Sequence, residues 1–138
     1  MSYEIDKKTK GKIINALRRL TYSYPPRNEV KRLRKVDKSL YSCELCHRYC
    51  YEGKSNKTYI EYAHKYPDRE IVMEKPQIDH TLPVVPIEKG WNWNWDDIIN
   101  NMFCNIKGLK CLCSKCHQAK TAEEQTQRAE LRRQSKID

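Results

Sequence analysis

Apolar residues recur at helical spacing near the start of the chain, at Ile13, Ile14, Leu17 and Leu20, with lysines and arginines between them. That pattern predicts a helix over residues 6 to 22 with Asp6 as its N-cap. Pro25 disfavours helical geometry at Tyr24 and ends it. Asn28 then caps a second basic helix that turns Val30, Leu33 and Val36 inward and Lys31, Arg32, Arg34, Lys35 and Lys38 outward. Beyond this point the period shortens. Residues 58–62 read as a short strand, and Ile71-Val72-Met73 and Gln77-Ile78-Asp79 as two more. Pro83 and Pro86 force an irregular loop after His80. Trp91, Trp93 and Trp95 alternate, so an extended chain sets all three indoles on one face, where burial is favoured over stacking on bases. Asp96 caps a short helix carrying Ile98, Ile99, Met102 and Phe103, and Gly108 turns the chain into Leu109-Lys110-Cys111-Leu112. From Ser114 onward the pattern is helical almost to the end, with Glu124 and Arg128 as a favourable i,i+4 pair.

Composition changes this picture in two ways. With 33% charged residues in 138, the chain is short of apolar surface for one large core and calls for a staple. Seven cysteines supply one, and their odd number speaks against a closed disulfide framework. No apolar leader or membrane span is visible, so the expected location is cytoplasmic, where thiols stay reduced and bind metals. Cys43 and Cys46 form one Cys-x-x-Cys pair, Cys113 and Cys116 another, and four thiolates suit a tetrahedral structural zinc with no open position. Cys50, Cys104 and Cys111 read as small buried hydrophobes, and His47 as a bystander.

The net charge of +9 points to a polyanionic partner without saying what is done to it. Both N-terminal helices are basic, and a helix laid along phosphates competes evenly with a packed helix carrying solvated lysines. Arg18, Arg19, Arg32, Arg34, Lys35 and Lys120 are the candidate DNA contacts. Hydrolysis of a phosphodiester needs a base for water and a cation for the developing charge. Asp79, His80 and His117 provide that minimum. An Asp-His dipeptide is weak alone; it gains weight from lying between two thiol pairs with His117 joined to one of them.

At this point the residues Gln77-Ile78-Asp79-His80-Thr81-Leu82-Pro83-Val84, with Gly108 through Cys113-Ser114-Lys115-Cys116-His117-Gln118-Ala119-Lys120-Thr121, resemble an HNH endonuclease. They are most similar to the small four-cysteine form of tailed bacteriophages. The resemblance runs from about Cys43 to Thr121. It implies an α+β fold built on a ββα-metal unit, stapled by zinc on Cys43, Cys46, Cys113 and Cys116. It implies that His80 activates water, while Asp79 and His117 hold a catalytic magnesium or manganese ion. The family's middle asparagine falls at Gly108 here, so Asn105 or backbone groups take its role. The implied division is a basic helical extension over residues 1–40 and a nuclease domain over 41–138. The implied activity is metal-dependent cleavage of DNA, by nicking or by double-strand scission, beside the terminase or other packaging proteins in a bacterial host cytoplasm. The rival expectation is a zinc-stapled nucleic-acid-binding protein without turnover.

Overall fold

In the computed structural model, which describes residues 5–85, 87 and 94–137, helices and small sheets mix in an α+β arrangement. Helix α1 (Lys7–Thr21) starts where expected: the Asp6 carboxylate accepts from the Thr9 N–H at 2.7 Å. Helix α2 (Pro25–Leu33) begins three residues before the expected Asn28 cap. Pro25 and Pro26 occupy its first turn, where the missing N–H groups have no helical partner to lose. It also stops early, and Val36 belongs to strand β1 (Lys35–Asp37) rather than to the helix.

Strands β1, β2 (Leu40–Ser42), β3 (Tyr49–Tyr51) and β4 (Ile71–Val72) form one sheet in that order; the first two pairings are antiparallel and β3–β4 is parallel. The short strand expected at residues 58–62 is instead part of helix α3 (Asn56–Lys65). Ser55 caps it by accepting from the Thr58 N–H at 3.2 Å. The tyrosines Tyr59, Tyr62 and Tyr66 then fall on one helical face, toward Leu40, Tyr51 and Ile71. Thr-Tyr-Ile-Glu-Tyr satisfies a period of two as well as one of 3.6, and tertiary burial decided for the helix. Asp37 ties this lobe together, accepting from Lys65 Nζ at 2.7 Å and the Tyr66 hydroxyl at 2.9 Å.

The Lys65 hydrogen bond foremost, then the Lys38 N–H and the Tyr66 hydroxyl, hold the Asp37 carboxyl well below its ordinary 3.8. A depressed folded-state value adds stability above the unfolded value, lost as pH falls through the folded one. Thermal midpoints of wild type and Asp37→Asn should therefore differ at neutral pH and converge in acid below 3.8. A gap that persists unchanged in acid would remove this role.

The second sheet positions the site. Strand β5 (Gln77–His80) pairs antiparallel with β6 (Leu109–Leu112), with Asp79 opposite Lys110 and His80 opposite Leu109. Helix α5 (Ser114–Ile137) follows β6 directly. Helix α4 (Trp95–Met102) is capped not by Asp96 but by Asn94, whose Oδ1 accepts from the Asp97 N–H at 2.8 Å. Ile99 is exposed, while Ile98 and Met102 are buried with Ile14 of α1 and Val84. Val30 of α2 packs with Leu109 and Cys111. Both N-terminal helices thus share cores with later residues, and a division at residue 40 falls at the start of β2. Trp91, Trp93 and Pro86 lie outside the described residues. Among the described residues no helix is long and apolar enough to cross a membrane.

Candidate metal centre and adjoining cleft

Each Cys-x-x-Cys segment closes on itself through the same bond. The His47 N–H donates to the Cys43 carbonyl at 3.1 Å, and the His117 N–H to the Cys113 carbonyl at 3.0 Å. The first turn needs a left-handed residue to leave it, and His47 takes that conformation at φ 63°. The two turns meet because the first docks on β6. The Glu44 N–H donates to the Cys111 carbonyl at 2.9 Å, and Glu44 Oε2 accepts from the Cys111 N–H at 2.7 Å. Arg34 secures the other carboxylate oxygen at 2.7 Å. As a result the sulfurs of Cys43, Cys46, Cys113 and Cys116 all lie within 4.8 Å of one another, an arrangement that could hold a metal ion such as zinc.

Electrostatics at the four thiols is uneven. Burial raises the Cys43 thiol, but the main-chain N–H groups of Cys46, Cys113 and Leu45 outweigh it and bring it down to about 7. Burial holds the Cys46 and Cys116 thiols above their ordinary value. A bound cation favours thiolate at every ligand and would reverse that resistance. Cys50 and Cys111 are fully buried outside the cluster, and burial first, then neighbouring charges, pushes both up to about 12. They stay neutral thiols, which agrees with their reading as small hydrophobes.

Beside this centre, β5, the following loop, α5 and the junction of α1 with α2 enclose a cleft of about 310 Å³. Asp79, His80, His117 and Lys120 all line it. Neighbours on a strand face opposite ways, yet Asp79 and His80 share this cleft because β5 ends at His80. The Asp79 carboxylate folds back, its Oδ1 accepting from the His80 N–H at 2.9 Å. His80 Nε2 lies 2.7 Å from the Met102 carbonyl. A carbonyl can only accept, so Nε2 carries a proton, and a neutral ring in this position has its lone pair on Nδ1.

Other expected contacts are relocated. Lys120 Nζ bonds Asp79 Oδ2 at 2.8 Å, also reaches the His80 carbonyl, and lies 3.4 Å from Glu124. Glu124 thus takes Lys120, while Arg128 donates to the Val85 carbonyl at 2.7 Å. Among the described residues the four cysteines are the one group of three or more potential ligands drawn together this closely; Asp79 and His117 share a cleft without forming such a cluster. Asn105 is exposed, away from the cleft lining, and caps the turn Ile106–Gly108 through the Lys107 N–H at 3.0 Å. Of the expected DNA contacts, Arg18 and Lys120 line the cleft. Arg32 is paired with Glu29 and Arg34 with Glu44, and Arg19 and Lys35 are exposed outside it.

Three features had escaped the sequence. Arg128 could have been found, since His117, Lys120, Glu124 and Arg128 follow helical spacing along one face. Arg27, which also lines the cleft, carried no such signal, and the Met102 carbonyl, being backbone, carried none at all. Comparison of the chain with protein-family models, curated proteins and solved structures gives no match in any of the three.

Proposed function

We propose that the protein is a metal-dependent DNA endonuclease of the HNH type, with zinc on the four cysteines as its staple. The observation that carries the reading is the cleft: a histidine whose Nε2 faces a carbonyl, a neighbouring carboxylate and a second histidine, set on the paired strands β5 and β6 and the helix α5 that follows β6. Four thiolates leave no open position on a tetrahedral ion, so the zinc has no part in the chemistry.

In this reading a phosphodiester enters the cleft beside His80. Nδ1 takes a proton from water as its oxygen attacks phosphorus, the bond to the 3′ oxygen breaks, and that oxygen takes a proton from solvent water. The products are a 5′-phosphate and a 3′-hydroxyl. Asp79 and His117 are the residues that would hold magnesium or manganese, whose charge stabilises the phosphate oxygens and the leaving group. For Asp79 to do so, its Oδ2 must give up Lys120. That ion pair, together with the position of Asn105, favours the rival reading of a zinc-stapled DNA-binding protein without turnover.

Supercoiled plasmid separates the two. Incubated with the protein and magnesium or manganese, it should convert to relaxed or linear DNA, and leaving out the added metal should prevent this. Plasmid that stays supercoiled with every divalent metal while binding the protein would establish the rival. Action beside a phage terminase belongs to the same proposal, and its signature would be cleavage that rises when the packaging motor is added.

A further inference from the structure

Resting on the nuclease reading, we infer that the N-terminal helices complete the substrate channel: Arg18 and Arg27 grip the phosphates of the DNA strand from one wall while Arg128 of α5 grips it from the other. The carboxylates elsewhere explain why these three are singled out. Arg32, Arg34 and Arg48 are each paired with a glutamate, at 2.5, 2.7 and 2.6 Å. Two of the cleft arginines, Arg27 and Arg128, are held instead by neutral groups. Arg27 donates to the Thr21 hydroxyl at 3.2 Å and stacks 4.7 Å over the Tyr22 ring. Arg128 donates to the Val85 carbonyl at 2.7 Å.

Neutral partners orient a guanidinium without cancelling its charge. Among the described residues none of Arg18, Arg27 and Arg128 has a carboxylate partner, whereas the two acids of the cleft, Asp79 and Glu124, are both engaged by Lys120. Three forks of one sign in a concave site focus the field on an anion, and a guanidinium matches two phosphate oxygens at once. Tyr22 and Leu82 stand 66% and 75% exposed at this cleft and leave its mouth open. A strand lying between the two walls passes His80.

The test is binding of a short fluorescent DNA duplex to the zinc-loaded protein, followed by anisotropy without added magnesium or manganese across a range of potassium chloride. Arg18→Ala, Arg27→Ala and Arg128→Ala should each weaken binding about tenfold and reduce the salt slope by about 0.9, one phosphate contact. Arg19→Ala removes the same charge from α1 outside the cleft and should change affinity and slope far less. Arg18 is exposed on α1, so its variant keeps the test alive if loss of the Arg27 stacking disturbs the fold. Cleft variants that bind like wild type, or an Arg19→Ala loss equal to that of Arg18→Ala, would overturn the channel. Because no magnesium or manganese is added, binding is read apart from cleavage and the outcomes are separable. Binding through these arginines without any cleavage sinks the nuclease and spares the channel, whereas cleavage with unaltered binding by the variants does the reverse.

Discussion

His80→Ala should lose plasmid cleavage by a factor of about 10²–10⁴, the usual contribution of a positioned general base, while its zinc content and melting curve stay those of the wild type. The reason lies in how the ring is held. Its Nε2 donates to the Met102 carbonyl at 2.7 Å, at the end of helix α4, whose Ile98 and Met102 are buried in the small core shared with α1. That core persists without the imidazole. His80 itself is only half-buried, and its backbone remains paired with Leu109 in the β5–β6 ladder. The measurement is the rate of supercoil loss alongside metal analysis and thermal unfolding. A variant that fails to fold would assign His80 to structure instead, and one that cleaves at the wild-type rate would move the base elsewhere.

Cys113→Ser should have the larger effect on the fold. Cys113 is 1% exposed, and its core is made largely of the thiols themselves, with Cys43, Cys50 and Leu112. Thiols bring little apolar volume, so this cluster cannot hold the first Cys-x-x-Cys turn against β6 by burial alone. Structural zinc binding is coupled to folding at about 10–16 kcal/mol in small zinc modules, and a hydroxyl is a poor substitute for one thiolate of four. The expected result is loss of bound zinc and a melting transition lowered by tens of degrees or abolished. A zinc-free variant with an unchanged transition would show that the four thiols do not act as a metal staple. Removal of zinc from the wild type by a strong chelator should reproduce the same loss.

The two experiments address different centres that the chain threads together. Cys113 and Cys116 close the cluster, and His117, the next residue, lines the cleft. Losing the staple should therefore also abolish cleavage, whereas losing His80 should leave the staple intact. That asymmetry distinguishes a nuclease carried on a metal-folded frame from a metal site that performs the chemistry itself.

What could be read from the sequence follows from the range over which each feature is set. The Asp6 cap and the apolar stripe of α1 are local, and the helix appears within a residue of its expected bounds. The pairing of the two Cys-x-x-Cys segments could be read because four soft donors in matched pairs have few other uses in a reducing setting. The start of α2 and the fold of residues 58–62 could not. Proline is tolerated at a helix start, and Tyr59 and Tyr62 fit either period until Leu40 and Ile71 arrive to bury them.

The cleft divides in the same way. The sequence by itself determined which residues to look for: Asp79, His80 and His117, which line one cleft, and four thiols, which lie close enough to hold a metal. Only the tertiary structure decided which basic residues belong with them. Arg34 is paired with Glu44 and Lys120 with Asp79, both across the fold, and Arg18, Arg27 and Arg128 remain without a carboxylate partner around the histidines; Arg32 with Glu29, three residues apart on α2, is a pairing already local in sequence. A charge run along a chain shows how many cations there are; which of them face an unpaired anion site depends largely on carboxylates that folding brings within a few ångströms.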